Sequence, residues 1–248
     1  MMRILAILKI AARALKRNKL RTVLTMLGII IGVAAVIAMV SIGNGAKAMV
    51  EAQIASLGQN VLLVFSGSVT RGGLHTGWGS AGTLTIEDAN AILREVPGVL
   101  TVSPEVQTVT QVAAGNQNWY TRILGEGEGY LDLRQWPLAE GAMFTDQDVR
   151  GANKVAVIGQ TTGRQLYGDS SAIGQIIRIK SVPFIIVGQL SPKGLSVQGS
   201  DQDDVLIIPY TSAMKRVTGT TTLRSINVQA EDASVLLGAQ QSRKSWMP

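Results

Sequence analysis

The chain has 248 residues, is 46% hydrophobic and carries a formal net charge of +6 at pH 7. This positive excess does not indicate a nucleic-acid partner, because 7 of the 23 basic residues lie between residues 3 and 21. The other 16 basic residues are balanced by 17 acidic residues, so the rest of the chain is nearly neutral. The sequence has one histidine and no cysteine, which excludes Cys/His metal clusters and Cys–His nucleophile pairs.

The first 21 residues are basic and predict an amphipathic helix on the cytoplasmic surface of a membrane. Apolar residues recur at helical spacing from Ile4 to Leu15, and the lysines and arginines fall largely on the other side. The alternative is a helix that simply continues into the apolar run that follows. The basic residues nearest to that run are Arg13, Lys16, Arg17, Lys19 and Arg21.

Residues 22–43 contain no charged side chain and predict a transmembrane helix. A helix of that length spans roughly 33 Å, which matches a hydrocarbon core of about 30 Å. The first 50 positions hold no acidic residue, so the basic flank predicts a cytoplasmic N-terminus and an extracytoplasmic remainder. The alternative is a cleaved signal peptide, but its apolar region runs only about 7–15 residues.

Within this run, Gly28 and Gly32 form a GxxxG motif, and Ala35 follows one turn later. Small residues allow helix backbones to approach closely in a membrane, so this face is predicted to pack on another helix. The motif does not distinguish a homodimer from packing on other spans.

The helical pattern continues over residues 44–57, predicting a stalk that ends before Gly58. A strand is predicted at 59–66, followed by a loop at 67–82 that contains six glycines. The loop carries His75 and Trp78, which are candidates for contact with a partner. The simpler interpretation is an exposed histidine and a tryptophan that folds back on its own domain.

The remaining pattern predicts an α+β extracytoplasmic domain with two lobes, because short strands alternate with short helices. A capping box at Thr85 and Asp88 opens the first helix, and residues 125–149 are predicted to be irregular. Helices are predicted at 86–96, 160–167 and 210–216, and strands at 99–103, 106–113, 119–124, 155–158, 175–179, 184–189, 205–208 and 225–229.

The sequence predicts a protein that is not an enzyme and binds no cofactor or metal. The segment from Gly159 to Arg164 lacks the spacing and the lysine of a P-loop. Asp201, Asp203 and Asp204 lack the spacing of a calcium-binding EF-hand loop, so a solvated turn is favoured. No acid, base and nucleophile are seen to converge.

Residues 8–20 (LKIAARALKRNKL) and 21–46 (RTVLTMLGIIIGVAAVIAMVSIGNGA) are similar to the start of MacB-type ABC transporter permeases. The resemblance covers roughly residues 4–230 and continues in order along the chain through shorter segments, which include GQNVL at 58–62, LTIED at 84–88, VLTVSPE at 99–105, GAMFTDQD at 141–148, VAVIG at 155–159 and DQDDVLIIP at 201–209.

The resemblance implies a periplasmic core domain over residues 58–248 on a membrane helix, in the bacterial inner membrane. It also implies a porter-like β-α-β lobe at 58–124 plus 223–230, interrupted by an inserted lobe at 125–222. The partners it implies are an ABC ATPase, a periplasmic adaptor, a second permease copy and the lipid membrane. ATP is then expected to bind to the ATPase and not to this chain.

The family's function implies that ATPase-driven motion passes through the membrane helix to the outer domain, exporting peptides, drugs or lipoprotein-like cargo. Relatives carry three further spans and have a fused or separate ATPase, and this sequence supplies neither. The ending at residues 236–248 predicts a truncation, a frameshift or a fragment boundary. Two alternatives stay open: a mechanotransmitting regulator of a partner such as a cell-wall hydrolase, and a single-pass extracytoplasmic binding module.

Overall fold

The computed structural model describes residues 18–55, 60–67, 70–71, 74–75, 82–196 and 199–231. The predicted amphipathic helix at the N-terminus lies outside these residues, as do Arg13, Lys16, Arg17 and Trp78. The chain divides into two compact units, Met1–Ala52 and Gln53–Pro248.

From Lys19 to its boundary at Ala52, the first unit is one long helix, and the last three residues of that helix belong to the second unit. This helix, α1, runs over Lys19–Ala55 and has 37 residues. Within its stretch Lys19–Lys47, the most apolar window of 18 residues has a mean hydropathy of 2.8 and is not buried, so the helix is long and apolar enough to cross a membrane. The sequence prediction of one apolar N-terminal helix is therefore confirmed, and the helix continues through most of the predicted stalk.

The second unit is built on a nine-stranded sheet, with a separate two-stranded hairpin and short helices. Its strands are β1 (Val61–Phe65), β2 (Thr70–Arg71), β3 (Leu74–His75), β4 (Val99–Ala114), β5 (Gln117–Glu126), β6 (Leu138–Gly141), β7 (Val155–Ile158), β8 (Ile176–Ile179), β9 (Val182–Leu190), β10 (Val205–Pro209) and β11 (Ser225–Ala230). Its helices are α2 (Ile86–Glu95), α3 (Tyr130–Leu133), α4 (Asp146–Gly151), α5 (Gln160–Tyr167) and α6 (Tyr210–Ser212), and a π-helical segment (Ala213–Thr218) follows α6.

Six strands close into a ring of hydrogen-bonded pairs. Their order is β4, β5, β10, β7, β9 and β8, and β8 returns to β4 by pairing Ile179 with Val112. Strand β6 extends the sheet from β9. Closure removes the unpaired edges that an open sheet would expose. The sequence analysis predicted these strands but not their closure, because the pairing of distant strands leaves no local signal.

Strand β4 joins two parts of the nine-stranded sheet. Its first half pairs with β11, which also pairs with the edge strand β1, and its second half pairs with β5. We call β1, β11 and the first half of β4 the three-stranded sheet. The prediction of two strands separated at Pro104 was wrong, because the backbone continues through the proline, which lies opposite Ile226. Tertiary pairing here overrides the weak strand propensity of proline.

Residues 125–149 were predicted to be irregular, and this prediction was wrong. They contain the end of β5 together with α3, β6 and α4. Helix α4 has a capping box in which the Thr145 side chain and Asp148 satisfy each other's backbone N–H groups. The predicted capping box of α2 is confirmed, since Thr85 accepts from the Asp88 N–H and donates its own N–H back to Asp88.

The core has two parts, which lie on opposite faces of the ring strands. The inner part contains Ala156 and Ile158 of β7, Leu206 and Ile208 of β10, and Phe184 and Ile186 of β9. The outer part takes the alternate residues of β7 and β10 and packs them against aromatic and aliphatic side chains from α3, α4 and the nearby loops, namely Tyr130, Leu131, Trp136, Phe144 and Val149. Strand β10 is therefore buried on both faces, which explains its uninterrupted apolar sequence.

The family resemblance implied two lobes, with residues 58–124 plus 223–230 in one and 125–222 in the other. That division stays a prediction. In the sheet, β4 lies in the first set and bonds to β8 of the second, and β5 bonds to β10.

We expect Ile207→Ala to lower the free energy of unfolding by about 2–5 kcal/mol, because it opens a cavity in a strand that is covered on both faces. Ile185→Ala is the matched control, since its side chain is 50% exposed on β9. Denaturant unfolding of the detergent-solubilised chain, followed by tryptophan fluorescence, measures both changes. Equal losses at the two positions would contradict the two-sided burial of β10.

Candidate functional site

The small-residue face of α1 is open in this chain. Gly28, Gly32 and Ala35 are exposed, and a Cβ built on either glycine would meet no atom within 4 Å among the described residues. A second helix can therefore approach this face closely. Nearly every side chain of α1 whose exposure the structure describes is exposed, so exposure does not single out this face, and the packing role stays a prediction.

The described part of the basic flank lies at the start of the same helix. Lys19 and Arg21 are exposed in its first turn, directly before the apolar stretch. Lysine and arginine next to a span remain on the cytoplasmic side of a membrane. The predicted orientation depends on these two residues together with basic residues that lie outside the described range.

The predicted contact loop is only partly described. His75 lies in the two-stranded hairpin, where it pairs with Thr70. Trp78 lies outside the described residues. A contact role for either residue stays a prediction.

The aspartates at 201–204 do not form a simple solvated turn, so that prediction was wrong. Asp203 is 6% exposed and accepts hydrogen bonds from the backbone N–H groups of Lys193 at 2.7 Å and Gly194 at 2.9 Å. Asp201 accepts from the Thr161 hydroxyl at 2.7 Å. Their carboxylates thus satisfy groups of the protein itself.

Asp204 connects the segment between β9 and β10, which we call the aspartate loop (residues 191–204), to the ring. Its Oδ1 accepts from Trp119 Nε1 on β5 at 2.9 Å and from the Thr162 hydroxyl on α5 at 2.9 Å. Among the described residues, no group of three or more His, Cys, Asp or Glu side chains is arranged to hold a metal ion. These aspartates therefore act as a clamp on the fold.

The other end of the aspartate loop is held by an aromatic contact. Lys193 Nζ lies 4.7 Å from the centre of the Trp136 ring and donates to the Arg134 carbonyl at 3.1 Å. Burial, reinforced by the charge of Arg134, lowers the pKa of Lys193 to about 8. Trp136 Nε1 donates to the Ser191 carbonyl at 2.7 Å. The segment between β9 and β10 is thus fixed at both ends.

A polar cleft of about 320 Å³ lies beside α5 and the turn that follows it. Arg164 and Asp169 line it, together with Glu140 of β6. The Ser171 hydroxyl donates to Glu140 at 3.2 Å across its wall. Enclosed ligand sites are mostly apolar, and this open polar cleft differs from them.

Comparison with known proteins decides the family of this chain. The family model described as MacB-like periplasmic core domain matches residues 22–242. The chain belongs to this family.

The MacB-like chain is similar to long curated proteins over most of its own length. It is 46% identical over 225 residues to the macrolide export ATP-binding/permease protein MacB of Syntrophobacter fumaroxidans, which covers 90% of this chain and 31% of that protein. It is 42% identical to the protein of the same name from Azoarcus sp., which covers 90% of this chain and 33% of that protein. The chain therefore spans about a third of the length of these relatives.

Solved structures share the fold. The periplasmic region of MacB from Actinobacillus actinomycetemcomitans aligns with a TM-score of 0.63 at 24% identity and covers 76% of this chain and 83% of that one. The extracellular domain of the transporter YknZ from Gram-positive bacteria aligns with a TM-score of 0.58 at 20% identity, covering 72% and 88%. The prediction of a MacB-like α+β domain on one apolar helix is confirmed.

Sequence analysis missed a buried polar cluster in this MacB-like domain. Glu126, Ser103 and Asn227 are fully or almost fully buried where β4, β5 and β11 meet. Glu126 fell in the segment predicted to be irregular, and Ser103 and Asn227 occupy strand positions that would suit apolar residues. A one-dimensional pattern could not bring three such distant positions together.

We expect Asp204→Ala to lower the free energy of unfolding by about 1–3 kcal/mol, because it leaves the Trp119 indole without its acceptor and leaves the Thr162 hydroxyl with Thr121 Oγ1 at 3.1 Å as its remaining side-chain partner. Asp204→Asn is the matched control, since its amide oxygen can still accept from both donors. Denaturant unfolding monitored by tryptophan fluorescence measures both variants. An equal loss in the two variants would contradict the acceptor role of Oδ1.

Proposed function

We propose that this chain is the membrane-anchored periplasmic part of an ABC-type export permease and transmits ATPase-driven motion to the outer side of the membrane. The observation that carries the proposal is the match to the MacB-like periplasmic core domain over residues 22–242, which begins in an apolar helix long enough to cross a membrane. The similar proteins named above are export ATP-binding/permease proteins, which supports the same class of function.

The proposed route of motion is covalent and runs through α1. This helix has 37 residues and is continuous, which corresponds to about 55 Å. A bilayer core takes about 30 Å of such a helix, so several turns extend beyond it. A continuous helix transmits displacement and rotation better than a flexible linker does, because each of its turns is hydrogen-bonded to the next.

The proposed orientation places the N-terminus in the cytoplasm and the core domain in the periplasm. It is supported by the basic residues before the span, of which Lys19 and Arg21 are exposed. In this arrangement the cytoplasmic end of the helix faces an ABC ATPase, and the outer domain faces a periplasmic adaptor. ATP then binds to the ATPase, since this chain has no P-loop sequence.

The proposed role needs no chemistry from this chain. The aspartates that resembled a cation site hold the loop between β9 and β10, so they are engaged in structure. Gly28, Gly32 and Ala35 are the proposed contact face for a second permease copy or another span of the complete transporter.

We expect Gly28→Leu with Gly32→Leu, made in the complete permease, to abolish export while the protein still inserts in the membrane. The leucines prevent close approach of a second helix at this face. The measurements are macrolide resistance of an exporter-deficient host and co-purification of two differently tagged copies. Val33→Leu with Ala34→Leu is the control, because these residues point to the opposite side of the helix. Unchanged assembly and export in the glycine variant would contradict the proposed face.

A regulator of a periplasmic partner, such as a cell-wall hydrolase, would have the same anchor and domain. The ATPase rate of the complete complex separates the two functions. A macrolide-stimulated ATPase rate supports export, whereas an unstimulated rate together with binding of a hydrolase to the outer domain supports regulation. The third alternative, a single-pass extracytoplasmic binding module, predicts that this chain binds its ligand without any further membrane span.

A further inference from the structure

Two glutamates meet where the three-stranded sheet joins the ring. Glu105 pairs with Ser225 of β11, and the next residue, Val106, pairs with Gly125 of β5. Glu126 is the last residue of β5 and lies beside Glu105 on the neighbouring strand. Asn227 Nδ2 lies 3.4 Å from Oε2 of Glu105 and 3.4 Å from Oε2 of Glu126, so the two carboxyl groups flank one amide nitrogen, and a hydrogen bond from Glu105 helps to raise the pKa of Glu126. Carboxyl groups make such a bond only when one of them carries a proton, since an ionised carboxylate has no donor.

The donors around Glu126 are too few for an ionised carboxylate. Its side chain is fully buried, and its Oε2 accepts from the Ser103 hydroxyl at 2.7 Å. Asn227 Nδ2 is shared between Oε2 of Glu126 and Oε2 of Glu105. Oε1 of Glu126 has no hydrogen-bond partner in the part of the chain that the structure describes. A buried charge needs partners on both oxygens, so this environment suits a neutral acid.

The charged groups that face Glu126 act in both directions. Burial has the largest effect and raises the pKa of Glu126 well above its usual value, and the negative charge of Glu105 raises it further. The Ser103 hydrogen bond and the positive charge of Arg134 lower the same pKa by less. Tyr130 of α3, whose pKa is raised by burial, and Arg122 of β5 complete the cluster. The effects that raise the pKa of Glu126 outweigh those that lower it, so the net shift is upward and favours the neutral acid.

We propose that Glu105 and Glu126 hold one shared proton at neutral pH, and that this proton is a pH-sensitive lock between the three-stranded sheet and the ring. In the locked state the Glu126 carboxylic acid donates to the Glu105 carboxylate. Raising the pH releases the proton to solvent and leaves two negative charges in contact at the junction. The hydrogen bond between the two carboxyl groups is then lost, and β4 and β5 separate locally at this point.

The lock has a defined pH dependence. The folded state keeps this proton to higher pH than the unfolded state, so the lock stabilises the fold fully at acidic pH. Its contribution falls as the pH rises above the usual range of a glutamic acid and is lost as the pH passes the raised pKa. For one proton, the unfolding equilibrium constant rises by about tenfold per pH unit within this window.

Infrared spectroscopy of the full chain in detergent and heavy water tests whether the proton is present. At pH 7 the wild-type chain is expected to show a protonated-carboxyl band that is absent in Glu126→Gln and present in Glu95→Gln. Glu95 is the matched control, because its side chain is exposed at the end of α2. Glu105→Gln is expected to keep the band but lose it at lower pH than the wild type, since the neighbouring negative charge is gone.

Unfolding between pH 5 and pH 9 tests whether the proton locks the junction. Within the window between the usual pKa of a glutamic acid and the raised pKa of Glu126, the ratio of the wild-type unfolding constant to that of Glu126→Gln is expected to rise by about tenfold per pH unit, while the ratio to Glu95→Gln stays flat. A wild-type chain without the band at pH 7, or a flat ratio for Glu126→Gln, would overturn the proposal. If Glu126→Gln does not fold, the wild-type band and the shift in Glu105→Gln decide the question. Hydrogen exchange of β4 and β5 amides is expected to quicken with loss of the band, beyond the intrinsic effect of pH.

Discussion

Strand β4 is the element on which the core domain depends, because its hydrogen bonds hold the three-stranded sheet and the ring together. Over its 16 residues it pairs first with β11 and then with β5, and near its end it also bonds to β8. Without β4 the ring would be open between β5 and β8. Strands β11 and β1 would also lose the strand that connects them to the ring. A force applied to one part therefore passes to the other through paired backbone.

The two faces of the ring explain why its strands read differently in sequence. Strand β10 is buried on both faces and is apolar throughout, whereas β8 alternates between exposed Ile176 and Arg178 and buried Ile177 and Ile179. Closure requires each strand to place one set of side chains inside. On the outer face of β7 and β10, side chains of α3, α4 and the loops around Trp136 pack against the strands.

The buried polar groups of this domain lie at two places where separate parts of the fold are joined. The aspartates before β10 hold a loop to β5 and α5, and the Glu105–Glu126 pair lies where β4 changes partners. Burying a polar group costs free energy unless the group is hydrogen-bonded. Hydrogen bonds at these two places fix the positions of the strands and loops more specifically than apolar contacts would. In a domain proposed to transmit motion, such joints define which parts move together.

Local signals predicted many of the individual elements. The short apolar runs of β7 and β9, the capping box at Thr85 and the apolar run of α1 are each contained within a short window. The same analysis failed at Pro104, where strand pairing outweighs propensity, and at residues 125–149, where α3 and α4 are too short to show a period. For the candidate site, the residues at 28, 32 and 35 were found from spacing, whereas Glu126 was not.

The sequence by itself determined the apolar helix, the charge asymmetry around it, the α+β class and the family, because each is carried by composition or by neighbouring residues. Only the tertiary structure decided that six strands close into a ring, that the aspartates clamp a loop, and that two glutamates 21 positions apart share a junction. These features depend on the register between strands distant in sequence. Register is set by the simultaneous burial of many side chains, which no single stretch of sequence contains.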